Sequence, residues 1–157
     1  MENPYKMKGN RVKISSPVEG WETGGPLNLN EGPEILKKDD KVFIIYSCRE
    51  SWLVDYRLGM LQLINPDGNL LDPENWKKMG PVFTGNPQVY GVGHCSFVKS
   101  SDNTEDWIIY HSKKSIKPGW ERDVRMQPFT WNTDGTPHFG TPVPAGEQLN
   151  IPSGEIE

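Results

Sequence analysis

Two short stretches carry side chains able to move a proton or hold a ligand. In Asn28-Leu29-Asn30-Glu31-Gly32-Pro33-Glu34-Ile35-Leu36, Glu31 stands immediately before a Gly-Pro break, at what reads as a strand entrance. Alone, such a glutamate is an exposed loop residue as readily as a catalytic one. Its weight comes from company. In Gly91-Val92-Gly93-His94-Cys95-Ser96-Phe97, His94 holds the equivalent place one repeat later. A lone imidazole is more often a satisfied structural residue than a ligand, so the pair matters more than either member. A carboxyl and an imidazole at matched places can act together only if the repeated elements bring them to a common axis.

Those elements read as short strands. Turn signals recur at Gly24-Gly25-Pro26, Gly32-Pro33, Asp39-Asp40, Pro66-Asp67-Gly68, Gly85-Asn86-Pro87 and Asp134-Gly135. Glu34–Lys38 and the β-branched and aromatic run Lys41–Cys48 flank a two-residue polar turn, which predicts a hairpin. Arg57–Ile64 is a further strand, and Pro73–Trp76 allows one helical turn at most. The pattern then repeats. Phe43-Ile44-Ile45-Tyr46-Ser47 returns 64 residues later as Trp107-Ile108-Ile109-Tyr110-His111, and Asn65-Pro66-Asp67-Gly68 returns 67 residues later as Asn132-Thr133-Asp134-Gly135. Met60 before the first of these turns is echoed by Met126 before the second. A recurring unit of several antiparallel strands predicts β-propeller blades, whose first strands face a central channel. Glu31 and His94 would then both point at the axis.

Composition agrees and excludes alternatives. Sixteen glycines and 14 prolines in 157 residues, with 10% aromatics, suit short strands joined by many turns. Seventeen basic against 21 acidic residues, with no basic block, leave no electrostatic footprint for nucleic acid. No apolar run approaches the roughly 18 residues of a membrane-spanning helix. Cys48 and Cys95 allow one disulfide at most and fit no zinc spacing. The opening Met-Glu-Asn-Pro-Tyr-Lys lacks the pattern of a signal peptide, which reads as cytoplasmic for the chain as written, and two free thiols favour a reducing compartment.

NEGPEILKKDDKVFIIYS, DYRLGMLQL, GHCSFVKS, DWIIYHSK, RDVRMQPFTW and NTDGTPHFGTPV together resemble glycoside hydrolase family 43, nearest its α-L-arabinofuranosidase and β-xylosidase branch. The resemblance covers nearly the whole chain in order and implies an all-β fold, part of a five-bladed β-propeller. About two and a half blades of antiparallel strands are expected: residues 1–23 as the remnant of a preceding blade, 30–87 and 91–144 as blades, and 145–157 as a tail. Two and a half blades do not close a ring, so the chain is expected to be the C-terminal portion of a longer catalytic domain or to complete its ring by pairing as a dimer.

The chemistry implied by the resemblance is glycosidic cleavage with inversion. A protonated carboxyl donates to the leaving oxygen while a carboxylate about 6.5–9.5 Å away activates water on the opposite face. By motif, Glu31 matches the general acid. His94 matches a histidine at the channel centre beside a hydrated calcium ion, although the family more often has Asn where Cys95 stands. Calcium prefers oxygen ligands, so a single histidine implies a mostly water-held ion. No organic cofactor is implied. Arg122 matches an arginine that contacts the sugar, Arg125 reads as a bracing residue, and Trp52 and Trp120 lie on loops where they could stack on sugar rings or simply pack.

The family's base, an Asp of the first blade, and the Asp that tunes the acid have no counterpart here. Asp55 belongs to the DYRLGML strand signature, Asp102 and Asp106 fall at a hairpin turn away from the channel, and Asp123 merely follows Arg122. The expected function is therefore part of an inverting hydrolase acting on arabinofuranosyl or xylosyl linkages of plant polysaccharide, with little activity alone. The alternative is a non-catalytic fragment that binds arabinose- or xylose-containing oligosaccharides or self-associates. A kelch-like interaction propeller leaves the Glu-Gly-Pro and Gly-His-Cys-Ser motifs unexplained.

Overall fold

The computed structural model describes residues 2–155. Eight strands form two four-stranded antiparallel sheets in chain order. The first contains β1 (Asn30–Lys38), β2 (Lys41–Cys48), β3 (Arg57–Leu63) and β4 (Trp76–Phe83). The second contains β5 (Tyr90–Lys99), β6 (Asp106–Lys113), β7 (Arg122–Trp131) and β8 (Pro137–His138). The only helical turn among the described residues is a 3-10 turn at Pro73–Asn75, capped by the Asp72 carboxylate on the Glu74 amide. This is the all-β blade architecture that the repeat predicts, with the Phe-Ile-Ile-Tyr and Trp-Ile-Ile-Tyr runs occupying the second strand of each sheet.

The hairpin turns follow from local chemistry. Asp39, at φ +53°, turns β1 into β2, where aspartate tolerates the left-handed region better than most residues. The Asn75 side chain accepts from the Asn65 amide and donates to the Asn65 carbonyl, closing the β3–β4 connection.

The two sheets pack face to face. Leu36, Phe43, Ile45, Leu58, Met60 and Phe83 of the first meet Val92, Cys95, Ile108, Tyr110, Phe129 and Phe139 across one continuous core. Period-two alternation puts these residues on the inner faces. Cys48 and Cys95 are free and buried. The segment before Asn30 forms no strand among its described residues but packs on the outer face of the first sheet. There Ile14 and Trp21 join Tyr46, Cys48 and Leu61. Gly59 and Gly80 make this possible, because a Cβ at either position would lie 2.6–2.7 Å from the Trp21 ring.

Candidate active site

Glu31 and His94 each sit at a β-bulge in the first strand of their sheet. In β1 the register passes from Glu31↔Ser47 to Glu34↔Ile45, and in β5 from Gly93↔His111 to Ser96↔Ile109. One extra residue at each place re-aims the side chains. Gly32 takes φ +55° inside the first bulge, and His94 itself takes φ +52° inside the second. The bulges face each other. A Cβ at Gly32 would lie 3.0 Å from the His94 Nδ1 atom, so this position needs glycine both for its conformation and for the approach of the ring.

Tyr56, fully buried in the loop before β3, ties the two residues together. Its hydroxyl donates to Glu31 Oε1 at 2.8 Å and lies 3.4 Å from His94 Nδ1. Its ring stacks on His111 at 5.3 Å with an interplanar angle of 2°, and His111 lies 6.0 Å from the His94 ring. The His94 backbone N–H donates to Ser47 Oγ at 2.7 Å.

Burial, helped by Glu31 and only partly offset by Ser47, pushes the Tyr56 hydroxyl far above its ordinary range. It therefore remains a donor. Burial first, then the charges of Arg122 and His94, lower the His111 imidazole to about 4, so it is neutral at pH 7.

Sequence reasoning missed Tyr56, Ser47 and His111 as members of this cluster. The signal was present for two of them, since Ser47 and His111 are the same position of the repeat, one strand-end apart from the core Tyr.

Arg122 opens β7 beside this cluster. Its Nη2 donates to the Ser51 carbonyl at 3.1 Å and its Nη1 to the Trp120 carbonyl at 3.4 Å, while its guanidinium carbon lies 4.9 Å from the Trp120 ring centre. Its Nε is buried without a partner among the described residues. Trp52 and Trp120 lie on loops, as the sequence suggests, with ring centres 5.2 Å apart. Arg125 braces its sheet, donating to Ser112 Oγ and the Val143 carbonyl.

The other carboxylates are occupied elsewhere. Asp55 pairs with Arg57, Asp123 with Lys114, and Asp106 with Lys99 and the Trp131 indole N–H. Asp102 accepts from Ser100, Thr104 and Ser153 in the β5–β6 turn. Asp106 opens β6 rather than lying in that turn.

Among the described residues no three His, Cys, Asp or Glu side chains converge on a metal position. His94 turns Nδ1 toward Tyr56, which leaves Nε2 for solvent. One imidazole without carboxylates suits only an ion that brings its own water. A mainly apolar cavity of about 470 Å³ on the outer face of the first sheet is lined by Glu31 itself together with Pro33, Ile35, Ile44 and Leu61.

A fixed carboxyl, two neighbouring imidazoles and a guanidinium beside an indole therefore gather at one end of the two sheets. A family profile described as Glycosyl hydrolases family 43 matches residues 1–137. The chain is 38% identical over 155 residues to an extracellular exo-α-(1→5)-L-arabinofuranosidase of Streptomyces avermitilis, covering 93% of this chain and 32% of that protein. It is 34% identical to α-L-arabinofuranosidase 43 of Humicola insolens, with the same coverage. The crystal structure of an α-L-arabinofuranosidase from Lactobacillus brevis superposes with a TM-score of 0.86 at 36% identity, over 94% of this chain and 47% of that one. The chain thus spans about a third of the length of these curated relatives.

Proposed function

The chain belongs to glycosyl hydrolases family 43, and on that premise we propose that it supplies the acid side of an inverting glycosidase site that cleaves arabinofuranosyl or xylosyl linkages of plant polysaccharide. The observation that carries the reading is the Tyr56–Glu31–His94 junction between the two bulges. Tyr56 fixes Glu31 Oε1, while Oε2 has no hydrogen bond among the described residues and is able to deliver a proton to a leaving oxygen. Arg122 lies beside the cluster, where a donor not engaged by the Ser51 and Trp120 carbonyls can reach a sugar hydroxyl.

Asp55, Asp102, Asp106 and Asp123 are each engaged by partners away from Glu31. We assign the water-activating base to protein outside this sequence, and the 157-residue chain alone is expected to turn over little or no substrate. A calcium ion in the channel would be held through water by His94. Two relatives are named extracellular, and we assign the same setting to this protein in place of a cytoplasmic one.

The test is a chimera in which these residues replace the matching portion of the Lactobacillus brevis enzyme, assayed on aryl α-L-arabinofuranoside and aryl β-D-xyloside. Activity should fall by about 10²–10⁴-fold in the Glu31→Gln variant. Undiminished turnover in that variant would remove Glu31 from the role. Turnover by the isolated chain that Glu31→Gln abolishes would place the base within this sequence.

A further inference from the structure

We propose that Gly93 and His111 of the second sheet form a slot that holds the Tyr56 ring, and that both are positioning residues which keep the Tyr56 hydroxyl on the carboxyl of Glu31. The inference rests on the proposed glycosidase reading for its effect on turnover, but not for the existence of the slot.

Tyr56 belongs to no strand and lies in the loop between β2 and β3. Loop backbone alone is a poor support for an oxygen at the far end of a long side chain. Yet the ring is fully buried and its hydroxyl lies 2.8 Å from Glu31 Oε1. What holds it comes from the other sheet. Gly93 of β5 and His111 of β6 are register partners, and directly opposed residues of antiparallel strands project from the same face. Because Gly93 has no side chain, the space beside the His111 ring is open on that face. The Tyr56 ring fills it. It lies parallel to the imidazole, with ring centres 5.3 Å apart and an interplanar angle of 2°, an offset stack. A Cβ at Gly93 would come within 2.6 Å of Tyr56 Cδ1 and closer still to Cε1. His111 Nδ1 is buried without a partner among the described residues, so the imidazole meets Tyr56 through its face.

The same repeat position works in the opposite direction in the first sheet. Ser47 closes the Phe-Ile-Ile-Tyr run as His111 closes the Trp-Ile-Ile-Tyr run, and it is the register partner of Glu31. Its Oγ accepts from the His94 N–H of the second sheet at 2.7 Å. Each sheet therefore uses the residue after its core tyrosine to grip the other. Ser47 takes the backbone of His94, and His111 takes the ring of Tyr56. The Glu31 carboxyl is thus located by contacts between the sheets as well as by the bulge that aims it. A proton donor held this way keeps its place only while the slot is intact.

The experiment uses the 157-residue chain and proton NMR of the Tyr56 hydroxyl, identified by its loss in Tyr56→Phe. Buried and bonded to a carboxylate, this proton should exchange slowly enough to be observed. Its exchange should accelerate about tenfold or more in His111→Ala and in Gly93→Ala, whereas His111→Phe, which keeps a flat ring in the stack, should stay within about threefold of the parent. Gly93 does not take a positive φ, so alanine there tests the space and not the backbone. Destabilisation by Gly93→Ala should largely vanish in a Tyr56→Ala background, as expected where the added methyl meets that ring. If His111→Ala fails to fold, Gly93→Ala and this double variant decide the matter. Absence of a protected hydroxyl in the parent, unchanged exchange in the alanine variants, or a His111→Phe variant that behaves like His111→Ala would each overturn the slot.

In the Lactobacillus brevis chimera, His111→Ala should lower kcat about 10–100-fold and leave KM within about twofold, with His111→Phe recovering most of the loss. A raised KM with unchanged kcat would place His111 in ligand binding and overturn its positioning role. Undiminished turnover by the Glu31→Gln chimera would remove the acid and leave the hydroxyl exchange results standing, which separates failure of the acid assignment from failure of the slot.

Discussion

His94 holds its backbone at φ +52°, where a side chain with a Cβ is strained by about 1 kcal/mol. In an ordinary strand glycine is worse than alanine by roughly 0.5–1 kcal/mol. At this bulge the order should invert, so that His94→Gly is the more stable variant by about 1 kcal/mol in urea unfolding and His94→Ala the less stable. The ordinary order would show that the bulge relaxes once the imidazole is gone. The same strain explains what was legible here. Glu31 and His94 stand out in the sequence because Gly-Pro and Gly-X-Gly-His patterns mark irregular backbone. Tyr56 reads only as part of a strand signature, because nothing local in Asp-Tyr-Arg-Leu reveals that its hydroxyl reaches back 25 residues to Glu31. His111 was hidden by the strength of its neighbours, since a residue closing an Ile-Ile-Tyr strand reads as sheet, not as a stacking partner.

Strands were legible wherever two turn signals bracket β-branched residues. Seven of the eight begin or end within three residues of such a signal. β1 begins at Asn30 rather than at Glu34, because a bulge carries the ladder through Gly32-Pro33, which reads locally as a break. The segment before β1 was the least legible, for its structure depends on one of its own carboxylates meeting partners far along the chain. Glu22 has no solvent exposure and accepts from Tyr46 Oη, Asn30 Nδ2, Lys78 Nζ and the Val18 and Glu19 amides. Burial alone would raise its carboxyl, but the Lys78 ammonium, the Tyr46 hydroxyl and the two amides outweigh it and hold it below its ordinary range. A carboxyl lowered in the folded state contributes stability that is present above the unfolded value and lost as pH falls through the folded one. Thermal unfolding should therefore show the parent chain losing stability below about pH 4.5. Glu22→Ala should cost about 3 kcal/mol at pH 7, with the gap between the two narrowing on acidification. A gap that stays constant down to pH 3 would mean that Glu22 is neutral in the fold and acts only through packing.

At the scale of the molecule, each sheet buries one face in the shared core, and its outer face keeps exposed apolar side chains even where the segment before β1 covers part of the first. On the outer side of the second sheet Val98 and Met126 are 42% exposed and Val124 is 81% exposed, while Ile35 is 52% exposed beside the apolar cavity on the outer side of the first. These faces have the same construction as those that meet in the core, where sheet packs on sheet with aliphatic and aromatic side chains. What such a face accepts is therefore visible within the chain itself: another four-stranded sheet. Two copies would bring four sheets together, the low end of the range of closed propellers, and a two-fold pairing would cover both outer faces at once. Light scattering of the isolated chain across micromolar concentrations should accordingly give a mass of at least two chains. Replacing Val124 by lysine should return it to one chain without lowering the melting temperature of the single copy, since this side chain sits largely in solvent there. A single-chain mass for the parent at every concentration would show that the outer faces stay hydrated when no other sheet is present. Covering those faces would then fall to other sheets and not to a second copy of this chain.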